Sequence, residues 1–79
     1  MQAYKGYMIP DSIEDIRKRV YTEHWDGDWL VLVPADGGGP DKYINLRYER
    51  GELHRKDVDV SAVISRCRAV VDRYAEEMS

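Results

Sequence analysis

Three successive glycines, Gly37-Gly38-Gly39, stand between Asp36 and Asp41 in the stretch PADGGGPDKY. A glycine run after a strand is one way to cradle a phosphate. A loop of that kind ends in Gly-Lys-Ser/Thr and leads into a helix whose first amides face the anion. Here Pro40 removes an amide donor, acids flank the run, and the next segment reads as a strand. The glycines are therefore expected to form a bend between two strands. Two Asp-x-Asp pairs, Asp26-Gly27-Asp28 and Asp57-Val58-Asp59, offer alternate carboxylates of the kind that ligate Mg²⁺ or Ca²⁺, with His24 near the first. Neither has the third oxygen ligand and closing Glu of a calcium loop. The expected roles are a helix-to-strand turn for Asp26 and Asp28 and a helix cap for Asp57 and Asp59, with no metal or other cofactor.

Nucleophiles are as sparse. Cys67 falls inside an apolar helical stripe, and a reactive thiol needs exposure and a positive neighbourhood. It reads as a small core residue. Ser61 and Ser65 have no nucleophile elbow, and His24 and His54 have no acid–base partner at recognisable spacing. The chain is accordingly not expected to be an enzyme.

The elements that would carry these residues follow from hydrophobic period. Residues 3 to 9 suggest a short edge strand, weakened by Gly6. Asp11 with Glu14 gives a capping-box-like start to a first helix, Ile13, Ile16 and Val20 mark its buried stripe, and it should end near His24. Residues 29 to 33, WLVLV, read as a central strand buried on both faces. Residues 42 to 49 alternate as a second strand, with Tyr43, Asn45 and Arg47 outward. Arg50-Gly51 fits a two-residue hairpin turn into a third, with Tyr48 opposite Leu53 and Arg47 opposite His54. Val60, Val63, Ile64, Cys67, Val70, Val71, Tyr74 and Met78 define a second helix, capped by Asp59 or Ser61.

The expected fold is a single α+β domain over residues 1–79, a small two-layer sandwich in the order (β)-α-β-β-β-α. Its antiparallel three-stranded sheet (four-stranded with residues 3 to 9) packs two helices on one face. Over residues 11 to 78 this α-β-β-β-α order resembles double-stranded RNA-binding domains, which place lysines at the start of the second helix. This chain has Asp57 and Asp59 there, so the resemblance implies topology without RNA binding.

Composition points the same way. Hydrophobic and charged residues at 43% and 34% are those of a globular domain. Fifteen acids against twelve bases give a net charge of −3, which counts against nucleic acid as the partner. Six Tyr and two Trp with no Phe favour a binding face. A lone cysteine, no apolar signal region and no membrane-length run lead to the expectation of a free-standing cytoplasmic protein without membrane contact.

The function expected is a small non-enzymatic protein-binding module. In size, acidity and lack of motif it resembles phage or mobile-element inhibitors of the anti-CRISPR and anti-restriction type, which occupy a surface of their target. Two surfaces are candidates: an acidic end gathering Asp36, Asp41, Asp57 and Asp59 for a basic partner, and the open sheet face with Trp29, Tyr43, Asn45, Arg47 and His54. One alternative is nucleic acid on that face, with Trp29 and Tyr43 stacking on bases and Arg47 and Arg55 on the backbone. Another is a homodimeric accessory subunit that buries it.

Overall fold

The computed structural model describes residues 1–22 and 27–78. The first strand expected from the sequence is a hairpin: β1 (Gln2–Tyr4) and β2 (Tyr7–Ile9) pair through Gln2↔Ile9, Ala3↔Met8 and Tyr4↔Tyr7. Lys5 and Gly6 turn it with φ of 49° and 89°, so Gly6 makes the turn instead of weakening a strand.

Helix α1 (Ile13–Arg19) is capped by Ser12, whose Oγ accepts the Asp15 N–H at 3.2 Å, one residue later than expected. It ends at Arg19, well short of His24, because Val20 is extended and opens strand β3 (Val20–Thr22). Val, Tyr and Thr favour a pleated surface, and here β4 offers them an edge. Ile13 and Ile16 still face the core, and Val20 joins them from the strand.

Strand β4 (Asp28–Pro34) is the centre of the sheet. It pairs antiparallel with β2 through Tyr7↔Pro34 and with β3 from Val20↔Leu30 to Thr22↔Asp28. Strand β5 (Ile44–Tyr48) runs beside it from Leu32↔Ile44 to Asp28↔Tyr48. The five strands are all antiparallel. Contrary to the sequence expectation, β4 is not buried on both sides: Asp28, Leu30, Leu32 and Pro34 are buried, while Trp29, Val31 and Val33 are half-buried.

The expected third strand after Arg50-Gly51 does not form. Gly51 is left-handed as the turn requires (φ 81°), but Glu52–His54 form a 3₁₀ turn. The pairings Tyr48–Leu53 and Arg47–His54 are therefore absent. Leu53 is the only apolar residue from 49 to 57, too little to pattern a strand, and it is fully buried beneath the turn instead.

Helix α2 (Val60–Met78) matches its expected stripe: Val63, Cys67 and Val71 are buried, and Val60, Ile64, Val70 and Tyr74 pack around them. The side chain of Met78 lies outside the description. Asp59 is the cap, its Oδ1 accepting the Ala62 N–H at 3.1 Å. Along α2, Arg66 donates to the Arg47 carbonyl at 2.9 Å, Asp72 accepts the Tyr4 hydroxyl at 2.9 Å, and the Tyr74 ring meets Tyr7 edge-on at 5.6 Å. The helix thus climbs from the far end of β5 back to the β1–β2 hairpin. Residues of both helices share one core with Leu30, Leu32, Leu46 and Leu53, so both cover the same sheet face. The two-layer α+β architecture stands, and the string α-β-β-β-α is kept by strands at 20–22, 28–34 and 44–48.

Gly27 holds the entry to β4. Its φ is +117°, and a Cβ there would lie 2.5 Å from the Tyr48 carbonyl oxygen. Gly37 has φ +81° but open space around the same position. Gly37→Ala should cost about 1 kcal/mol from backbone strain alone. Gly27→Ala should cost several times that, because the backbone of β5 must also move. Urea unfolding of the two variants compares them directly, and equal losses would contradict the close approach at Gly27.

Candidate functional site

The glycine loop joins β4 to a 3₁₀ turn at Pro40–Lys42 and then to β5. Its amides turn inward: Gly38 N–H donates to the Asp36 carboxylate at 3.0 Å and Gly37 N–H to the Pro34 carbonyl at 3.3 Å. No helix follows to present free donors to a phosphate. The loop is a bend between strands.

Asp28 is the buried acid among the described residues. One carboxylate oxygen accepts the Thr22 hydroxyl at 2.7 Å, the other the Gly51 N–H at 2.8 Å, and His54 Nε2 stands 3.8 Å from the second. Thr22 donates to the carboxylate and not to the imidazole, so the order nucleophile–base–acid needed to activate a hydroxyl is not set up. The group ties β3, β4 and the turn after β5 together. The candidate metal cluster at the first Asp-x-Asp pair rests on His24 and Asp26, which lie outside the described residues. Among the described residues no three His, Cys, Asp or Glu come close enough to hold an ion.

Cys67 is fully buried in the core, and burial pushes its thiol up from 9.0 to about 11, outweighing the pull of Arg66. Burial also raises Tyr7, to about 12; its hydroxyl donates to the Lys42 carbonyl at 3.1 Å.

The acidic end does not assemble. Asp36 and Asp41 flank the glycine loop, at the end of β4 where Tyr7 and Lys42 meet. Asp57 and Asp59 line a groove with Tyr48 and Arg66 at the opposite end of the sheet. The cause is the missing strand: α2 starts where β5 stops, one sheet length from where a third strand would have delivered it.

The outer sheet face does assemble. Tyr21, Trp29 and Arg47 lie in register across β3, β4 and β5, followed by Val31 with Asn45 and by Val33 with Met8. The Arg47 guanidinium stands 6.0 Å from the Trp29 ring, and the Tyr21 hydroxyl meets the Asn45 Oδ1 at 3.4 Å. Tyr21 and Tyr43 are 42% and 37% exposed, the most exposed aromatic residues described. Trp29 Nε1 is buried without a hydrogen-bond partner among the described residues. Of the residues expected here, Trp29, Asn45 and Arg47 share the face and Tyr43 stands just before β5. His54 does not join them: it sits on the 3₁₀ turn beside Asp28. Tyr21 and Met8 were missed by sequence reasoning, since one was assigned to a helix and the other to a weak strand. The β-forming triplet Val20-Tyr21-Thr22 was the available signal.

No helix among the described residues is long and apolar enough to cross a membrane. No protein-family model, curated protein or solved structure matches this chain.

The buried thiol makes a pH prediction. A group whose pKa is higher folded than unfolded contributes its full stability below the unfolded value and loses it as pH rises toward the folded one. Between pH 9 and 11 the urea midpoint should therefore fall, with a shallower slope in Cys67→Ala than in the parent. Identical slopes would mean that the thiol ionises as freely in the folded protein as in the unfolded chain.

Proposed function

We propose that the protein is a binding module for another protein and that its contact surface is the outer face of the sheet. The observation that carries this reading is the one-sided packing. Both helices cover the Leu30–Leu32–Leu46 face, leaving Tyr21, Trp29, Val31, Val33 and Met8 on the other, bordered by Asn45 and Arg47. Trp, Tyr and Arg are the side chains that most often dominate binding energy at interfaces, and a sheet presents them on a backbone that is already ordered. Occupying a partner's working surface, as phage and mobile-element inhibitors do, requires no chemistry beyond such a face. The acidic-end version loses its basis, because Asp36 and Asp41 are remote from Asp57 and Asp59.

The Tyr21–Trp29–Arg47 row also favours a second reading, single-stranded nucleic acid stacked on the same face. Arg55, expected to support it, is an exposed residue that follows the 3₁₀ turn off the strands, and its carbonyl accepts from Arg17 of α1 at 3.3 Å.

Affinity capture in the presence of nuclease tests both. A stoichiometric protein partner should be retained by the parent and lost with Tyr21→Glu and with Asn45→Glu, two exposed positions on the face. A loss of at least tenfold in affinity is expected from a charge placed within an interface centre, roughly 1.4 kcal/mol or more. Unchanged capture by both variants would refute the sheet face as the contact surface. Capture abolished by nuclease would move the reading to nucleic acid.

A further inference from the structure

We propose that the partner presents an acidic segment, and that its carboxylates are received by Arg47, Arg50 and Arg66 in the hollow where β5 ends. The inference rests on the outer face being a protein-binding surface and adds the chemistry of what binds there.

These three arginines line one open hollow of about 580 Å³, together with Gly27, Tyr48, Glu49 and Glu52. Among the described residues, ion pairs join the Met1 amine to Asp11 and Asp15 and Lys5 to Asp72, and the His54 imidazole stands beside Asp28. None involves Arg47, Arg50 or Arg66, although two glutamates stand in the same hollow. Glu52 is turned into its own bend, where its carboxylate accepts the Glu49 N–H at 2.9 Å.

Arg66 is held ready. Its guanidinium lies 4.4 Å from the centre of the Tyr48 ring, and Nη1 donates to the Arg47 carbonyl at 2.9 Å. Its charge also acts on the Tyr48 hydroxyl, opposing the rise in pKa that burial causes there. A guanidinium fixed by a ring and a carbonyl has already lost much of its rotamer freedom, so a carboxylate arriving there pays less in ordering. The planar fork then allows two parallel charge-assisted hydrogen bonds.

Arg47 joins the hollow to the outer face, since the same side chain stands over Trp29. An extended partner segment can set an apolar residue against Tyr21 and Trp29 and continue with acids into the hollow. A nucleic acid fits less well. Glu49 and Glu52 oppose either anion in the hollow, but a long phosphate chain must also cross the surface of a chain of net charge −3, whereas a short acidic segment need engage only the three arginines.

The test is a titration of ¹⁵N-labelled protein with capped hexaglutamate, and separately with oligothymidylate, following arginine Nε–Hε resonances. Saturable shifts confined to Arg47, Arg50 and Arg66 are expected with the peptide, and Arg50→Gln and Arg66→Gln should each weaken it about tenfold. Arg50→Gln guards against a folding artefact, because Arg50 sits on an exposed turn. Absent shifts, shifts spread evenly to Arg68 and Arg73, or tighter binding of oligothymidylate at the same three residues would each overturn the inference. Hexaglutamate carries no apolar group, so it reports on the hollow alone. Partner capture that is lost with Tyr21→Glu but unchanged by Arg66→Gln would overturn this inference and leave the binding face standing.

Discussion

The carboxyl group of Asp28 has no exposure to water and is set at the first residue of the central strand. Removing a carboxylate from water costs several kcal/mol unless donors replace the lost solvent. The donors available are the Thr22 hydroxyl and the Gly51 N–H, with His54 close by. They come from two other segments, β3 and the turn after β5, so one acid ties both to the start of the central strand. The turn it captures is the one that would have led into another strand. With Gly51 bound to Asp28, Leu53 is buried beneath the turn and α2 begins at that end of the sheet.

Everything about the candidate surfaces follows from that reversal. Because α2 climbs from the Tyr48 end to the β1–β2 hairpin, its cap acids, Asp57 and Asp59, stay far from the glycine loop. Arg66, one and a half turns into the helix, arrives beside Arg47 and Tyr48. The chain is acidic as a whole, yet three arginines share one hollow with two glutamates at the end of β5. Net charge describes the far field, while recognition at contact distance depends on which charges are left without partners.

The sheet itself is asymmetric for a simple reason. Alternation on β4 sends Leu30 and Leu32 inward against Leu46 and Ile44, and the same alternation must send Trp29, Val31 and Val33 outward. With only 79 residues, two helices suffice to cover one face. The other keeps Trp29, Val31 and Val33 half-buried, with Tyr21 exposed beside them.

Much was legible in the sequence because it depends on local period and local chemistry. The α2 stripe, its Asp59 cap, the burial of Cys67, the glycine bend and the alternation of Ile44, Leu46 and Tyr48 need only neighbours within a few residues. So did the α+β class and the open face with Trp29, Asn45 and Arg47. What the sequence did not disclose depends on partners distant in the chain. Val20-Tyr21-Thr22 continues a helical pattern until β4 offers it an edge, and Gly6 weakens a strand until Lys5 turns beside it. Glu52-Leu53-His54 follows a good hairpin turn, but Asp28, more than twenty residues earlier, takes the N–H of Gly51. Short segments with divided propensity are decided by long-range hydrogen bonds and burial, and here those decisions placed the acids apart and the arginines together.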